Sequence, residues 1–296
     1  MIKVKDLYKV IDGEVVLDHL SMQVEEGSIY GLIGPNGVGK TTLIRHLAGV
    51  LKQDAGKIFI ESQPVYENIE LKRKMGYISD AMYFIETSLE RNAKVYKDLY
   101  PSWNQERFEE LYKTFKLNPT KKIMTFSKGM RKQASFCLIM STMPKYLILD
   151  EPIDGLDPVA RKLVWKYIID DVAQRNLTVL ISSHDLKELE GIVDHVGILY
   201  KGKIMKEFDL EYIQMHIHKI QVSFGDKEVH LDDLNIAYQE ERGSVKILII
   251  EDSLSNIRKV IGDQSPLIFD ILPLSLEELF IYEVGGEDDD VQKLIF

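Results

Sequence analysis

The sequence predicts an α/β protein built on a parallel sheet, with a helical insert and a small C-terminal α+β appendage. Three observations predict this fold class. Up to about residue 215, short apolar segments typical of strands alternate with amphipathic segments typical of helices. A glycine-rich motif at residues 34–41 lies between one such strand and a helix. A second apolar strand, at residues 146–149, is followed at once by two carboxylates.

The individual elements follow from hydrophobic periodicity. Strands are predicted at residues 2–4, 17–24, 28–33, 57–60, 75–79, 146–149, 178–182 and 196–200. Helices are predicted at residues 39–51, 91–100, 106–115, 159–174 and 186–193. Together these elements define a first domain at residues 1–215. Within it, residues 81–143 are predicted to form a mainly helical subdomain, punctuated by Pro101 and Pro119.

The composition changes after about residue 215. Residues 219–224 and 245–251 are predicted strands and residues 254–261 a predicted helix, so residues 216–284 are expected to form the α+β appendage. Within the appendage, residues 276–284 are expected to pack back onto another part of the protein. Residues 285–296 are expected to form a disordered acidic tail, because residues 287–290 are all acidic.

Composition and charge argue against several classes of function. The 296 residues are 45% hydrophobic and 28% charged, which is typical of a globular protein. The net charge of −10 argues against a nucleic-acid partner, since such proteins carry a basic excess that neutralises phosphates. The single cysteine, Cys137, cannot form an internal disulfide. The apolar runs fall far short of the about 20 residues that cross a bilayer, and residues 1–6 lack a signal-peptide core. We therefore expect a cytosolic protein that reaches a membrane only through a partner.

The glycine-rich segment fits the pattern G-x-x-x-x-G-K-[ST] and has the strand before it and the helix after it that a phosphate-binding loop requires. Its glycines let main-chain N–H groups curl around phosphate oxygens, and the helix N-terminus adds partial positive charge. Lys40 is expected to reach the β- and γ-phosphates of a nucleotide, and Thr41 to bind Mg²⁺ through its hydroxyl. A turn that binds no ligand is the alternative, which the flanking strand and helix disfavour. The predicted nucleotide-binding residues here are Gly34, Pro35, Asn36, Gly37, Val38, Gly39, Lys40, Thr41 and Thr42.

The two carboxylates after the strand at residues 146–149 are Asp150 and Glu151. In open parallel sheets, ligands bind beyond the carboxyl ends of the strands. Asp150 is placed to hold Mg²⁺ through water, and Glu151 to act as general base on an attacking water. An isolated acidic pair is also typical of a solvated turn. The phosphate-binding motif upstream favours the catalytic interpretation.

Four further segments complete a resemblance to the ABC ATPase family. Residues 76–80, Gly-Tyr-Ile-Ser-Asp, resemble the segment that enters the family's helical subdomain, and residues 125–130, Thr-Phe-Ser-Lys-Gly-Met, resemble its signature sequence. Residues 155–157, Gly-Leu-Asp, resemble its D-loop, and residues 182–185, Ser-Ser-His-Asp, resemble its histidine switch. The resemblance covers about residues 1–215. It implies a P-loop NTPase fold of the ABC type, with a parallel-sheet core, an antiparallel β edge and a helical subdomain.

The resemblance also implies that two subunits enclose the nucleotide. Ser127 precedes an apolar-periodic run and is expected to cap a helix, which with Gly129 makes an anion site. Judged alone, the segment is equally compatible with an ordinary capped helix. In the family, this second anion site serves the nucleotide of the partner subunit, and Asp157 lies at the same interface. His184 is expected to donate a hydrogen bond near the γ-phosphate, which makes it the second predicted catalytic residue beside Glu151.

Three positions depart from the family pattern. Asp80 stands where the family usually has glutamine, and it is predicted to contact Mg²⁺ or the attacking water. Lys128 stands where the signature usually has glycine. Ile11 aligns with the aromatic residue that stacks on adenine in the family. The aliphatic side chain predicts weak stacking, a modest ATP affinity and loose selectivity for the base.

These observations predict an ATP-binding and ATP-hydrolysing subunit that uses Mg²⁺ and pairs with a second ATPase subunit. It is expected to power a separate multi-helix membrane permease from the cytoplasmic face of the cell membrane. Residues 96–103, 127–130 and 273–280 resemble parts of the subunits that serve ABC-2-type bacterial exporters of peptides and antimicrobials.

Three alternatives differ from this prediction in testable ways. A non-transport ABC ATPase of DNA maintenance or translation typically carries coiled-coil inserts, a second cassette or basic arms, and the sequence shows none of them. A nucleotide-gated dimerisation sensor would not hydrolyse ATP, and Glu151 disfavours it. An unrelated P-loop kinase would lack the segments around Ser127 and His184.

Overall fold

The computed structural model describes residues 1–225 and 229–279, and the chain forms two compact units. The first unit comprises Met1–His184 and Gly191–Glu207. The second comprises Asp185–Glu190 and the residues from Phe208 onward. The second unit thus begins before residue 216, where the change of composition placed the boundary.

The first unit follows the predicted alternation of strands and helices. Its strands are β1 (Ile2–Ile11), β2 (Glu14–Val24), β3 (Ile29–Ile33), β4 (Ala55–Ile60), β5 (Gln63–Pro64), β6 (Met75–Ile78), β7 (Tyr146–Asp150), β8 (Thr178–Ser183), β9 (His195–Tyr200) and β10 (Lys203–Asp209). Its helices are α1 (Lys40–Leu47), α2 (Ile69–Lys72), α3 (Leu89–Leu99), α4 (Gln105–Thr114), α5 (Lys128–Ser141) and α6 (Pro158–Arg175).

A largely parallel sheet forms the core, in the strand order β10-β9-β3-β8-β7-β6. β3 pairs in parallel with β8 and β9, and β7 pairs in parallel with β6 and β8. All residues of β3, β7 and β8 are buried, as expected for strands covered on both faces. The carboxyl ends of these three strands therefore lie side by side at one edge of the sheet. A second, antiparallel sheet has the order β2-β1-β4-β5, so both predicted sheet types are present.

The predicted helical region contains α3, α4 and α5. Each begins at a side-chain cap, provided by Ser88, Asn104 and Ser127 respectively. Phe115, at the C-terminal end of α4, and Phe136 of α5 make an edge-to-face ring contact with centroids 5.8 Å apart. Within residues 1–225 and 229–279, each helix is too short or too polar to cross a bilayer.

Two predicted helices differ from the observed structure. α1 ends at Leu47 rather than at residue 51, because Gly49 adopts a φ of 65° just beyond the helix end. The prediction of a helix at residues 186–193 was wrong, because only Leu186–Glu188 form a short 3-10 turn. Leu186 and Leu189 are both buried, which gives the segment a helical periodicity without a helix. Gly191, with a φ of 72°, breaks the segment after one turn.

The second unit is an antiparallel sheet with one long helix on it. Its elements are α7 (Leu210–His216), β11 (Ile217–Ser223), β12 (Ile236–Arg242), β13 (Val245–Glu251), α8 (Leu254–Asp263) and β14 (Ile268–Leu272), with the strand order β12-β13-β11-β14. Ile257 and Ile261 of α8 are buried in one apolar cluster with Ile220 and Leu248 of the two central strands. The sequence missed β12 and β14 because both are edge strands with largely exposed or half-buried residues.

Residues 276–284 were predicted to pack back onto another part of the protein. Leu279 is buried, which agrees with that expectation for the part that the structure describes. Residues 280–296, including the expected acidic tail at residues 285–296, lie outside the described residues.

Candidate active site

The loop between β3 and α1 brings the first set of predicted site residues together. Gly37 and Gly39 have φ values of 81° and 112°, a region that residues with a Cβ rarely adopt. At Gly39, a Cβ would also lie 3.0 Å from the carbonyl oxygen of Val16. Glycine thus lets the loop turn tightly into α1, which begins at Lys40. The N–H groups of such a loop and helix start can converge on an anion.

Lys40 is almost fully buried beneath this loop. Its Nζ donates hydrogen bonds to the carbonyl oxygens of Gly34 (2.6 Å) and Pro35 (3.0 Å), and it lies 3.9 Å from Glu151 Oε1. Burial lowers the pKa of Lys40, while the carboxylates of Glu151 and Asp150 act in the opposite direction. A buried ammonium held by two neutral oxygens is well placed to pair with a phosphate.

A cavity of about 280 Å³ opens in front of Lys40. Its lining is formed by the loop, the start of α1, one residue of β2 and one carboxylate: Val16, Asn36, Gly37, Gly39, Lys40, Thr41, Thr42 and Glu151. In the described structure, this lining does not include Ile11, which is 37% exposed at the end of β1. The apolar residue in this lining is Val16, which the sequence did not single out because an aliphatic residue in a strand forms no motif. The contact of Ile11 with adenine stays a prediction.

β7 delivers Asp150 to the same place. Asp150 is buried, and its Oδ1 accepts hydrogen bonds from Thr41 Oγ1 (3.2 Å) and Ser182 Oγ (2.9 Å). Burial raises the pKa of Asp150, and the two hydroxyl hydrogen bonds oppose that shift. A buried carboxylate beside a hydroxyl presents hard oxygen donors with incompletely balanced negative charge. This donor set fits Mg²⁺.

Glu151 follows Asp150 with an unusual backbone. Its φ is 46°, which is unfavourable for a residue with a side chain and more so before a proline. Its N–H donates to Ser182 Oγ (3.2 Å), and its carbonyl accepts from Lys132 Nζ (2.7 Å). Its Oε1 lies 3.4 Å from His184 Nδ1 and faces the cavity of Lys40. The two predicted catalytic residues are therefore in contact at the carboxyl ends of β7 and β8.

The segment around Ser127 lies at the start of α5. Ser127 is exposed, and its Oγ accepts a 3.1 Å hydrogen bond from the N–H of Met130, so it caps the helix as predicted. A Cβ on Gly129 would lie 2.9 Å from the carbonyl oxygen of Gly155, so glycine allows this close approach. Asp157 caps α6 in the same way as Ser127 caps α5. Two capped helix starts thus meet through the contact of Gly129 with Gly155.

Comparison with known proteins identifies the family. A family model described as ABC transporter matches residues 17–154. The ABC transporter ATP-binding protein YtrB of Bacillus subtilis (strain 168) is 30% identical over 289 residues, covering 97% of this chain and 99% of YtrB. The chain belongs to the ABC transporter ATP-binding proteins. The bacitracin transport ATP-binding protein BcrA of Bacillus licheniformis is also 30% identical, over 309 residues that cover 97% of this chain and 98% of BcrA.

Solved structures agree with this family. An ATP-binding subunit of an ABC transporter superposes with a TM-score of 0.65 at 27% identity, covering 72% of this chain and 92% of its own. A dimeric ATP-binding cassette in a post-hydrolysis state, bound to ADP and Pi, superposes with a TM-score of 0.64. It is 18% identical, covers 71% of this chain and 99% of its own, and bears on the fold alone. The protein is thus an ABC ATPase, which binds and hydrolyses ATP, and the predicted fold class is confirmed.

Asp80 and Lys128, the two charged residues that depart from the ABC pattern, lie close together. Asp80 Oδ1 is 3.1 Å from Lys132 Nζ and 3.9 Å from Lys128 Nζ. Lys128 Nζ is in turn 2.8 Å from Asp154 Oδ2, an ion pair that raises the pKa of Lys128 and lowers that of Asp154. Asp80 thus has two lysine partners, and its contact with Mg²⁺ or the attacking water stays a prediction. The sequence did not reveal Lys132, because no motif contains it.

Proposed function

We propose that this ABC ATPase is the ATP-hydrolysing subunit of a bacterial exporter. It pairs with a second ATPase subunit, for which a second copy of this chain suffices, and with a separate multi-helix permease at the cytoplasmic face of the membrane. The observation that carries the proposal is the separation of two anion-binding elements in one chain. In the described structure, the cavity of Lys40 and Thr41 is not lined by Ser127, so the exposed start of α5 is free to serve the nucleotide of a partner.

ATP binds with its triphosphate in the loop at residues 34–41. Main-chain N–H groups of the loop hold the phosphate oxygens, and Lys40 contacts the β- and γ-phosphates. Thr41 and Asp150 hold Mg²⁺, which neutralises phosphate charge when it is bound. Ile11, at the end of β1, offers adenine an aliphatic side chain only, so base stacking is weak and discrimination between ATP and GTP is small.

Hydrolysis proceeds by attack of water on the γ-phosphorus, with breakage of the bond to ADP. Glu151 accepts the proton of the water, since its carboxylate lines the cavity of the triphosphate. His184, in contact with that carboxylate, orients it and stabilises the charge that moves onto the γ-phosphate. Lys40 and the loop N–H groups hold the leaving phosphate oxygens in place.

Two loaded subunits close head to tail in this mechanism. Each offers Ser127 and Gly129 to the γ-phosphate that its partner binds, and Asp157 lies at the same interface. Closure moves the helical region at residues 81–143, which transmits the motion to the permease. The similarity to BcrA, a bacitracin transport protein, supports transport over DNA-associated or translation-associated functions.

The variant Ser127→Asp tests the paired arrangement. Aspartate caps helices as well as serine does, so the fold and the Lys40 cavity are retained, but its charge repels the γ-phosphate of the partner's ATP. We expect unchanged ATP binding by the monomer, ATP-dependent dimerisation weakened by about tenfold or more, and a matching loss of turnover. Sedimentation with a non-hydrolysable ATP analogue and phosphate release measure the two effects.

The matched control is Ser253→Asp. Ser253 caps α8 in the same way, since its Oγ accepts a 3.3 Å hydrogen bond from the N–H of Asn256, but it belongs to the second unit. This variant should dimerise and hydrolyse ATP as the wild type does. A Ser127→Asp protein that behaves like this control would rule out a role for α5 at the partner's nucleotide.

A further inference from the structure

A buried lysine that the mechanism has not used touches the main chain of Glu151. Lys132 lies in the second turn of α5, and its side chain is 2% exposed. Its Nζ donates a 2.7 Å hydrogen bond to the carbonyl oxygen of Glu151. The same Nζ lies 3.1 Å from Asp80 Oδ1 and 3.9 Å from Asp154 Oδ2. A buried ammonium is costly unless it is paired and hydrogen-bonded, and these three oxygens supply that compensation.

The hydrogen bond from Lys132 is made to Glu151, whose backbone conformation is unfavourable. Glu151 has a φ of 46°, in the left-handed region, and a proline follows it. Its N–H is held from β8 by Ser182 Oγ (3.2 Å), and its carbonyl is held from α5 by Lys132. Because both peptide groups of Glu151 are fixed, the direction of its Cα–Cβ bond is fixed as well. That direction sets its carboxylate 3.4 Å from His184 Nδ1 and 3.9 Å from Lys40 Nζ.

We propose that Lys132 is a positioning residue for ATP hydrolysis: it holds the main chain of Glu151 so that the carboxylate faces the attacking water. Asp80 is the counter-ion that keeps the ammonium of Lys132 in place, which differs from the metal contact expected from the sequence. The inference rests on the proposed role of Glu151 as general base. Lys132 belongs to α5, and Asp80 belongs to the segment before the helical region. Both segments therefore act on Glu151 through the hydrogen bond of Lys132 to its carbonyl oxygen.

The variant Lys132→Met keeps the aliphatic stem and removes the ammonium. We expect kcat to fall by about tenfold to a hundredfold, since displacement of a reacting group by about 1 Å can cost that much. KM for ATP should stay within about twofold, because the triphosphate contacts are unchanged. Lys132→Gln, which keeps an N–H donor, should recover most of the lost kcat. Wild-type kcat in a folded Lys132→Met protein, or equal losses in the Met and Gln variants, would overturn the proposal.

A Glu151→Gln background tests whether Lys132 acts through Glu151 or independently of it. In a Glu151→Gln protein, adding Lys132→Met should cause no further loss of residual turnover, because Lys132 acts through the carboxylate that is already absent. Losses that multiply in the double variant would contradict the proposal. If Glu151→Gln alone retained turnover, the proposed role of Glu151 would fail instead, so the two failures are distinguishable.

Asp80→Asn provides a variant whose folding is not in question, since the side chain of Asp80 is about half exposed. We expect kcat to fall by about threefold to fivefold, which corresponds to the free energy of one partly exposed ion pair. The Mg²⁺ concentration for half-maximal activity should not change. An unchanged kcat, or a raised Mg²⁺ requirement, would overturn the role of Asp80 as counter-ion.

Lys145→Met is the matched control for the lysine variant. Lys145 Nζ also has two carboxylate partners, Glu26 and Glu61, each at 2.8 Å. It precedes the first residue of β7, at the opposite end of the strand from Glu151. Its loss should leave kcat unchanged, and a fall equal to that of Lys132→Met would show that the measurement reports stability rather than positioning.

Discussion

The Glu151→Gln protein should bind ATP as tightly as the wild type and lose at least about a hundredfold in turnover. A general base contributes about 10²–10⁴-fold to such a reaction, and an amide cannot accept the proton of the attacking water. Glutamine retains the shape of the side chain, and the contacts of residue 151 with Ser182 and Lys132 involve main-chain atoms. The substitution also removes a negative charge 3.9 Å from Lys40, so the affinity for ATP should not fall.

Phosphate release at saturating ATP and Mg²⁺ measures the loss, and sedimentation with ATP shows its structural consequence. Because ATP is retained and not hydrolysed, the variant should accumulate as the closed dimer. Glu70→Gln is a suitable control, since Glu70 is an exposed glutamate that pairs with the nearby Arg73. Turnover at the wild-type rate in Glu151→Gln would show that another group accepts the proton. A wild-type protein with no turnover at all would instead favour the nucleotide-gated sensor.

Replacement of Lys40 by methionine should weaken ATP binding by about a hundredfold. Hydrogen bonds to charged groups contribute about 1.5–3 kcal/mol, and the upper part of that range corresponds to two powers of ten in affinity. Methionine keeps most of the buried stem, so the loop loses only the ammonium that donates to Gly34 and Pro35. Titration with a fluorescent ATP analogue measures the effect, and Lys145→Met serves as control. Affinity within about threefold of the wild type would contradict the assignment.

The pH dependence of binding adds an independent check on Lys40. Burial lowers the pKa of its ammonium below the ordinary lysine value. Since phosphate binds the protonated form, wild-type affinity should decline as pH rises through a range where an ordinary lysine would still be charged. The Lys40→Met protein should not show this decline.

The sequence predicted those parts of the site that depend on neighbouring residues. The loop before α1 is visible because glycine spacing determines where the chain can turn, and Ser127 is visible because a cap precedes its helix directly. Asp150 and Glu151 follow a continuous apolar strand, which places them at the edge of a parallel sheet. Each of these features extends over fewer than about ten residues.

The parts that the sequence missed depend on which elements become neighbours. Ser182 reaches Asp150 because β8 pairs with β7, and Lys132 reaches Glu151 because α5 packs near the end of β7. A pattern along the chain does not encode such pairs. Periodicity also misled at residues 186–193, where two buried leucines resemble one helical face. The fold of β2 likewise brings Val16 to the cavity, and no motif in the sequence marks it.

Mixing the Lys40→Met and Ser127→Asp variants tests the central claim most directly. In a mixed dimer, the Ser127→Asp protomer keeps its lysine loop and the Lys40→Met protomer keeps its serine-capped helix, so one of the two composite sites is complete. At an ATP concentration near the wild-type KM, each variant alone should keep about a tenth of wild-type turnover or less. An equimolar mixture should recover about a quarter, as random pairing in a two-fold dimer predicts. A mixture as inactive as its components would contradict the account, because Lys40 and Ser127 would then not act on the same ATP from opposite protomers.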